Sequence, residues 1–295
     1  MRFLTLFLGC AFAIASGPIR ADDADQRVAA LERQLHYRQG VVELNGGFAE
    51  LAVPKSFRYL GPDDAQKVLV EGWGNPPGSK TLGMLVPATT SPLSEEGWAV
   101  VITYDDDGYV TDSDAEEIDY SDLLSTMQKA TEKENEKRAK DGYEAVHLVG
   151  WAEPPSYDKA SHKLYWAKDL QFGDGANHTL NYNIRVLGRK GVLVLNAVAG
   201  MDQLTSVKHD MQKVLGFVEF TDGHRYADYK PGIDKAAGYG LAALVAGGIA
   251  AKTGLLKGLL AGILAFKKLI VVGVAGIGSY FARLFKRKKL SPYEP

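Results

Sequence analysis

Apolar and polar positions along this chain alternate in blocks that switch between a helical and a strand period. Val28, Leu31 and Leu35 have helical spacing and Gly40 follows them, so the spacing predicts a short helix there. "VVELNGGFAELAVP" reads as two short strands around Asn45-Gly46-Gly47, a strong hairpin signal. "GPDDAQKVLVEGW" predicts a helix with Asp63 or Asp64 near its start, and "LGMLVP" and "GWAVVITY" predict strands. A long helix follows, ending near Lys140. "AVHLVGW", "KLYWAKDLQF", "HTLNYNIRVLG" and "GVLVLNAVAG" then read as consecutive strands joined by short turns. "MDQLTSVKHDMQKVLGFVEF" closes the series with a helix and a last strand. Strands in series, with helices at a few places, argue for an α+β domain on an antiparallel sheet with flanking helices.

Two further apolar regions have a different character. Arg2, "FLTLFLGCAFAIA" and the small residues after it read as a secretory signal peptide, with cleavage sites before Ser16 and after Ala21. After Asp234-Lys235, "AAGYGLAALVAGGIAA" (236–251) contains no charge. As a helix it spans about 24 Å of a ~30 Å hydrocarbon core, and Thr253–Leu256 extends it. A second apolar run occupies 269–282, between Lys267-Lys268 and a basic end. Small residues recur every four positions at Ala242, Ala246, Ala250, Gly254, Gly258 and Gly262. Such a ridge lets helix backbones approach closely, either against the second run or between copies of the chain. The expected organisation is a signal peptide at 1–21, an envelope-facing α+β domain at 22–232 and a membrane anchor at 233–295. That anchor is a transmembrane helix or a helical hairpin with a basic tail.

Charge sharpens this division. Arg2 and the nine bases from Lys252 onward account for ten of the 34 Lys and Arg, and Glu294 for one of the 36 acids. Residues 3–251 are left with a net charge near −11. An acidic body argues against nucleic acid as a partner. The basic tail suits the cytoplasmic side of a bilayer and its anionic lipids. These features point to a bacterial inner membrane, with the main domain facing the periplasm. The lipid bilayer, another envelope protein or a second copy of the chain are the expected partners. The one cysteine, Cys10, lies in the signal peptide, so the mature body has no thiol for disulfides, catalysis or zinc.

"YDDDGYVTDSDAEEID" (104–119) concentrates eight carboxylates without a base. With Gly108 at position 6 of a calcium loop, Asp105 and Asp107 fit, but Thr103 and Asp114 fill the first and last positions badly. A looser Ca²⁺ or Mg²⁺ site would draw on Asp105, Asp107, Asp112, Asp114 and Glu116. The competing reading is structural. "DDDG" supplies turn residues, and Ser113 and Glu116 form a capping box opening the long helix. The acids then lie at the positive end of the helix dipole, solvated and without the raised pKa of a general acid. Ile118, Leu123, Met127 and Ala130 give that helix a buried side, and its charged half "TEKENEKRAK" is expected to project into water. HExxH, GxSxG, a phosphate loop and GxGxxG are all missing, so no organic cofactor is expected. His162 and His178 are placed where they could meet across adjacent strands.

"EGWGNPP", the acidic run, "VGWAEPPSYD", "NYNIRVLGRKGVLVLNAV" and "RYADYKPGIDKAAGYGLAALVAGGIAAKTGL" together resemble one bacterial family of membrane-anchored proteins, catalogued as a domain of unknown function. The resemblance covers nearly all of 40–255, and it implies an envelope location but no reaction. "AELAVPKSFRYL" and "GVLVLNAVAGMDQLTSVKHDMQKVLGFVEF" are similar to the PsbP-like α+β fold, which does not imply a function. The resulting expectation is a non-enzymatic binding or assembly module of the cell envelope. An envelope hydrolase with a dispersed site, or a domain responsive to divalent cations, are the alternatives.

Overall fold

Alternating strands and short turns make the second half of the chain fold back on itself repeatedly, and a large antiparallel sheet results. The structure, a computed structural model, describes residues 21–247 apart from 74, 76–79, 95, 141–143 and 177. The signal peptide, the second apolar run and most of the small-residue ridge therefore lie outside the described residues. In chain order the elements are α1 (Ala21–Glu32), β1 (Tyr37–Arg38), β2 (Gly40–Glu43), β3 (Ala49–Val53), β4 (Phe57–Leu60) and α2 (Pro62–Lys67). Next come β5 (Gly83–Pro87), β6 (Ala99–Asp105), β7 (Tyr109–Thr111), α3 (Tyr120–Lys140), β8 (Val146–Asp158), β9 (Lys163–Phe172), β10 (His178–Leu187) and β11 (Val192–Gly200). The last are α4 (Leu204–Phe217), β12 (Val218–Phe220), β13 (Ala236–Gly240) and α5 (Leu241–Ala246).

The main sheet has the order β1-β4-β5-β6-β11-β10-β9-β8 with antiparallel neighbours. Pro154 and Pro155 fall in β8, an edge strand broken by register shifts, where a missing N–H is tolerated. A small sheet, β12-β3-β2, contains the expected hairpin, with Val42 opposite Leu51. It packs with α4 on one face of the main sheet, where Val207, Met211 and Val214 meet Val100, Leu180, Tyr182, Ile184 and Leu195. The opposite face is covered in two places. At one end Ala65, Val68 and Leu69 bury Met84, Val86 and Val101. At the other, Met127, Leu241, Leu244 and Val245 bury Leu164, Trp166, Val192 and Val194.

Three local expectations are corrected. First, α3 starts at Tyr120, not at Ser113, because Asp119 Oδ1 accepts the N–H of Ser121 and Asp122 at 2.9 and 3.1 Å and is the cap. Residues 113–117 form turns instead. Second, the charged half of α3 is solvated on one side only: Glu132, Lys133, Glu136, Lys137 and Lys140 are exposed, but the other side packs on the body. Thr131 and Arg138 are buried, and the Asn135 side chain exchanges two hydrogen bonds with the backbone of Val146, at 2.9 and 2.8 Å. Arg138 Nε donates to the Glu144 carbonyl at 2.7 Å, so polar side chains continue the stripe that Met127 begins.

Third, the uncharged stretch from 236 does not open as a helix. Residues 236–240 form β13, paired in parallel with β7, and only 241–246 are helical. Ala237, Tyr239, Leu241, Leu244 and Val245 are buried on the body. The packing of the body therefore continues past residue 232. Among the described residues no helix is long and apolar enough to cross a membrane. Ala242 and Ala246 of the small-residue ridge are half-buried on α5, and Ala250, Gly254, Gly258 and Gly262 lie outside the described residues.

Candidate functional site: the acidic turn and the segment it holds

β6 ends in the acidic run, and Gly108 lets the chain turn there at φ +114°. A Cβ on Gly108 would lie 2.5 Å from the carbonyl oxygen of Lys235, so only glycine admits the approach of the later segment. Tyr109 N–H then donates to that carbonyl at 2.9 Å and starts the β7–β13 pairing. From this point each of three carboxylates takes its own partner on the segment 226–246 or beside it.

Asp107 Oδ2 accepts the Tyr239 hydroxyl at 2.7 Å. Asp112 Oδ2 accepts the Tyr157 hydroxyl at 2.8 Å, and Asp112 N–H donates to the Tyr226 hydroxyl at 3.1 Å. Asp114 binds with both oxygens, accepting the N–H of Leu241 at 2.9 Å and of Ala242 at 3.1 Å. Asp114 is thus the cap of α5, supplied from 127 residues away. A Cβ on Gly240 would sit 2.6 Å from that carboxylate, so any other residue here would have to displace Asp114 from its two amides.

Aromatic rings line the same junction. Tyr229, Tyr109, Tyr226 and His162 stack in series, with centroids 3.8, 4.5 and 4.1 Å apart. Behind them Arg189 grips Asp234 bidentately, Nε to Oδ2 at 2.7 Å and Nη2 to Oδ1 at 3.0 Å. A cavity of about 400 Å³ remains between the turn and the segment, lined by Tyr109, Thr111, Ser113, Asp114, Tyr229 and Tyr239 among others.

The electrostatics follow these contacts. The Arg189 guanidinium holds the Asp234 carboxyl down at about 2. Burial alone would raise Asp112, but the Tyr157 and Tyr226 hydrogen bonds and nearby His162 keep it below the ordinary carboxylate range. Tyr157 and Tyr226 are pushed up, first by burial and then by hydrogen bonding, to Asp112 for Tyr157 and to Tyr109 for Tyr226. Tyr157 also lies 3.0 Å from His162 Nδ1, so carboxylate, phenol and imidazole form one set. A phenol whose pKa is driven upward keeps its proton, and the set is a lock rather than an activated nucleophile.

The five acids singled out in the sequence do not converge. Asp107, Asp112 and Asp114 point to separate partners, and Glu116 is exposed. Asp105 ends β6 with its carboxyl raised by burial, opposed by Arg185. Among the described residues no group of three His, Cys, Asp or Glu could hold a metal ion. His162 and His178 stand at opposite ends of the β9–β10 pairing and do not meet. Sequence reasoning missed Tyr109, Tyr157, Tyr226, Tyr229, Tyr239 and Arg189. For Tyr226, Tyr229 and Tyr239 the available signal was the recurrence of tyrosine in "YADYKPGIDKAAGY".

A family model described as "Protein of unknown function (DUF2167)" matches residues 36–278, and the chain belongs to that family. No curated protein matches it. Among solved structures it is similar to cyanobacterial PsbP (CyanoP) from Synechocystis sp. PCC 6803. Identity there is 11% and the TM-score 0.34, over 63% of this chain and 92% of that one. It is also similar to the Saccharomyces cerevisiae Ran-binding protein Mog1p, at 12% identity and TM-score 0.32, over 67% of this chain and 100% of that one. A third is LpqN, involved in cell envelope biogenesis of Mycobacterium tuberculosis, at 12% identity and TM-score 0.30, over 70% of this chain and 99% of that one. Likeness this distant carries no functional inference.

Proposed function

Taking that family membership as the premise, we propose that the chain is a non-enzymatic binding or assembly module held at a bacterial inner membrane, with its α+β body facing the periplasm. One observation carries this reading. The segment that leads into the apolar and basic tail is built into the body by Asp107, Asp114 and the Arg189–Asp234 pair. A tether fixed in this way transmits position from a membrane to a domain, which a flexible linker does not. The acidic body and basic tail suit opposite sides of a bilayer.

The test is fractionation and protease accessibility of the full chain in spheroplasts. The chain is expected to pellet with membranes, resist alkaline extraction, and lose its body to added protease without lysis. A body protected until the cells are lysed, or a chain recovered in the soluble fraction, overturns the proposal.

A further inference from the structure

The middle of the main sheet carries a second set of polar side chains, buried at Lys168, Asn181 and Asn183 and half-buried at Arg185 and Asn196, on the face that bears α3 and α5. Strand alternation places Trp166 and Lys168 of β9, Asn181, Asn183 and Arg185 of β10, and Asn196 of β11 on that face. Register sets Lys168 opposite Asn181, and Asn183 opposite both Trp166 and Asn196. These residues lie between the two apolar clusters that cover either end of the face.

The hydrogen bonds among them run in one direction. Arg185 Nη2 donates to Asn183 Oδ1 at 3.4 Å. Asn183 Nδ2 donates to Asn181 Oδ1 at 2.9 Å, and Asn181 Nδ2 donates to Asn196 Oδ1 at 3.3 Å. Each amide oxygen is used by its neighbour, and the chain ends in the Asn196 amide nitrogen, a donor without a partner among the described residues. The indole Nε1 of Trp166 is a second orphan donor. The third is Lys168, whose side chain is in a residue only 3% exposed and makes no hydrogen bond or ion pair among the described residues. Arg185 lies over the Trp166 ring at 5.0 Å, which turns its charge toward the same place.

Three donors on this stripe, of Lys168, Asn196 and Trp166, have no acceptor among the described residues, and Lys168 and Arg185 add two cations, of which Arg185 has the Asp105 carboxyl acting on it. Burying an uncompensated charge is costly, and native structures pair such charges. The surroundings register that cost. Burial, with Arg185 adding to it, pushes the Lys168 amine down to about 7, and burial pushes Arg185 down to about 10. Asp105 opposes this shift in Arg185 electrostatically, and no such carboxyl acts on Lys168.

We propose that this stripe binds an oxyanion group, a phosphate or a carboxylate, held by Lys168, Arg185 and the Asn196 amide. The chemistry is shared by small soluble anions and by an anionic lipid headgroup. The test is thermal unfolding of the full chain in phosphatidylcholine nanodiscs. One arm titrates inorganic phosphate or acetate against chloride at matched ionic strength. The other replaces part of the lipid with phosphatidylglycerol.

A saturable rise of about 5–10 °C is expected at a hundredfold excess over Kd in one arm, and the arm identifies the source. The rise is expected to vanish in Lys168→Met. In the unmodified chain the same anion is expected to protect Lys168 from reductive methylation, read by peptide mass; this measurement decides if the variant does not fold. The proposal is overturned if neither arm gives a saturable rise, if K168M keeps the full rise, or if Lys168 is methylated equally with and without the anion.

Discussion

The acidic turn and the donor stripe are both polar, both packed against the same face of the main sheet, and opposite in one respect. In the turn, Asp107, Asp112 and Asp114 each find a named donor. In the stripe, Lys168, Asn196 and Trp166 offer donors that nothing described accepts. Acidic composition drew attention to the first region, yet its carboxylates are occupied in holding the chain's own segment. The second region contains no conspicuous sequence run. What distinguishes a structural polar cluster from a receptive one is the balance of donors and acceptors, not the density of charge.

The largest expected effect breaks the turn from its segment. A chain ending at 235 loses Leu241, Leu244 and Val245 from the body, each a buried side chain stabilised by about 1.5–3 kcal/mol. It is expected to unfold about 5 kcal/mol more easily than a chain ending at 247, measured by urea denaturation of the two. Equal stability would mean that the segment is not part of the folded body. Acid loosens the same joint more gently. The Asp234 carboxyl lies at about 2 in the folded chain, against 3.8 ordinarily, so it binds fewer protons folded than unfolded. Its contribution is complete above about pH 4 and is lost as pH falls toward 2. Hydrogen exchange of the 236–246 amides is expected to accelerate across that window, and Arg189→Met should weaken the acid step.

The next effect has the opposite sign and separates the two regions directly. With no anion present, Lys168→Met replaces an uncompensated buried amine by an apolar chain of similar length. It is expected to leave stability unchanged or raise it by on the order of 1–4 kcal/mol. The pH dependence fixes the cause. The native amine is neutral above about 7, while the unfolded one holds its proton to 10.5, so the unfolded state binds more protons between these values. Stability of the unmodified chain should therefore rise with pH through that window relative to K168M. A variant that is strongly destabilised at pH 7 would instead make Lys168 a satisfied structural group.

Most of the sheet could be read from alternation, because β6 and β8 to β11 are long and their turns short. The α4–β12 ending and the Asn45-Gly46-Gly47 hairpin followed equally from local signals. β7 and β13 could not be read in this way. Each is short, and each is a strand only because the other is beside it, through a glycine at 108 that admits a carbonyl from residue 235. The start of α3 was misplaced because Ser113–Glu116 satisfies a capping pattern that Asp119 satisfies in fact. The candidate site was legible only as a list of acids. Which acid meets which donor depends on contacts 45 to 132 residues apart, and no spacing rule reports those.

The smallest effects test whether the turn works by partner or by charge. Asp114→Ala removes the acceptor for two amide hydrogens at the start of α5, and loss of a cap costs about 0.5–2 kcal/mol. Glu116→Gln removes the same unit of charge two residues away, from an exposed side chain. It is expected to stay within about 0.5 kcal/mol of the unmodified chain. Calcium at millimolar concentration discriminates further. A site built from Asp105, Asp107, Asp112, Asp114 and Glu116 would raise the unfolding midpoint with added cation, and E116Q would blunt that rise. Side chains committed to Tyr239, Tyr157 and the α5 amides must release those partners before they can share an ion. The midpoint is therefore expected to stay flat in both chains, and a calcium-dependent rise removed by E116Q would return the turn to the class of metal sites.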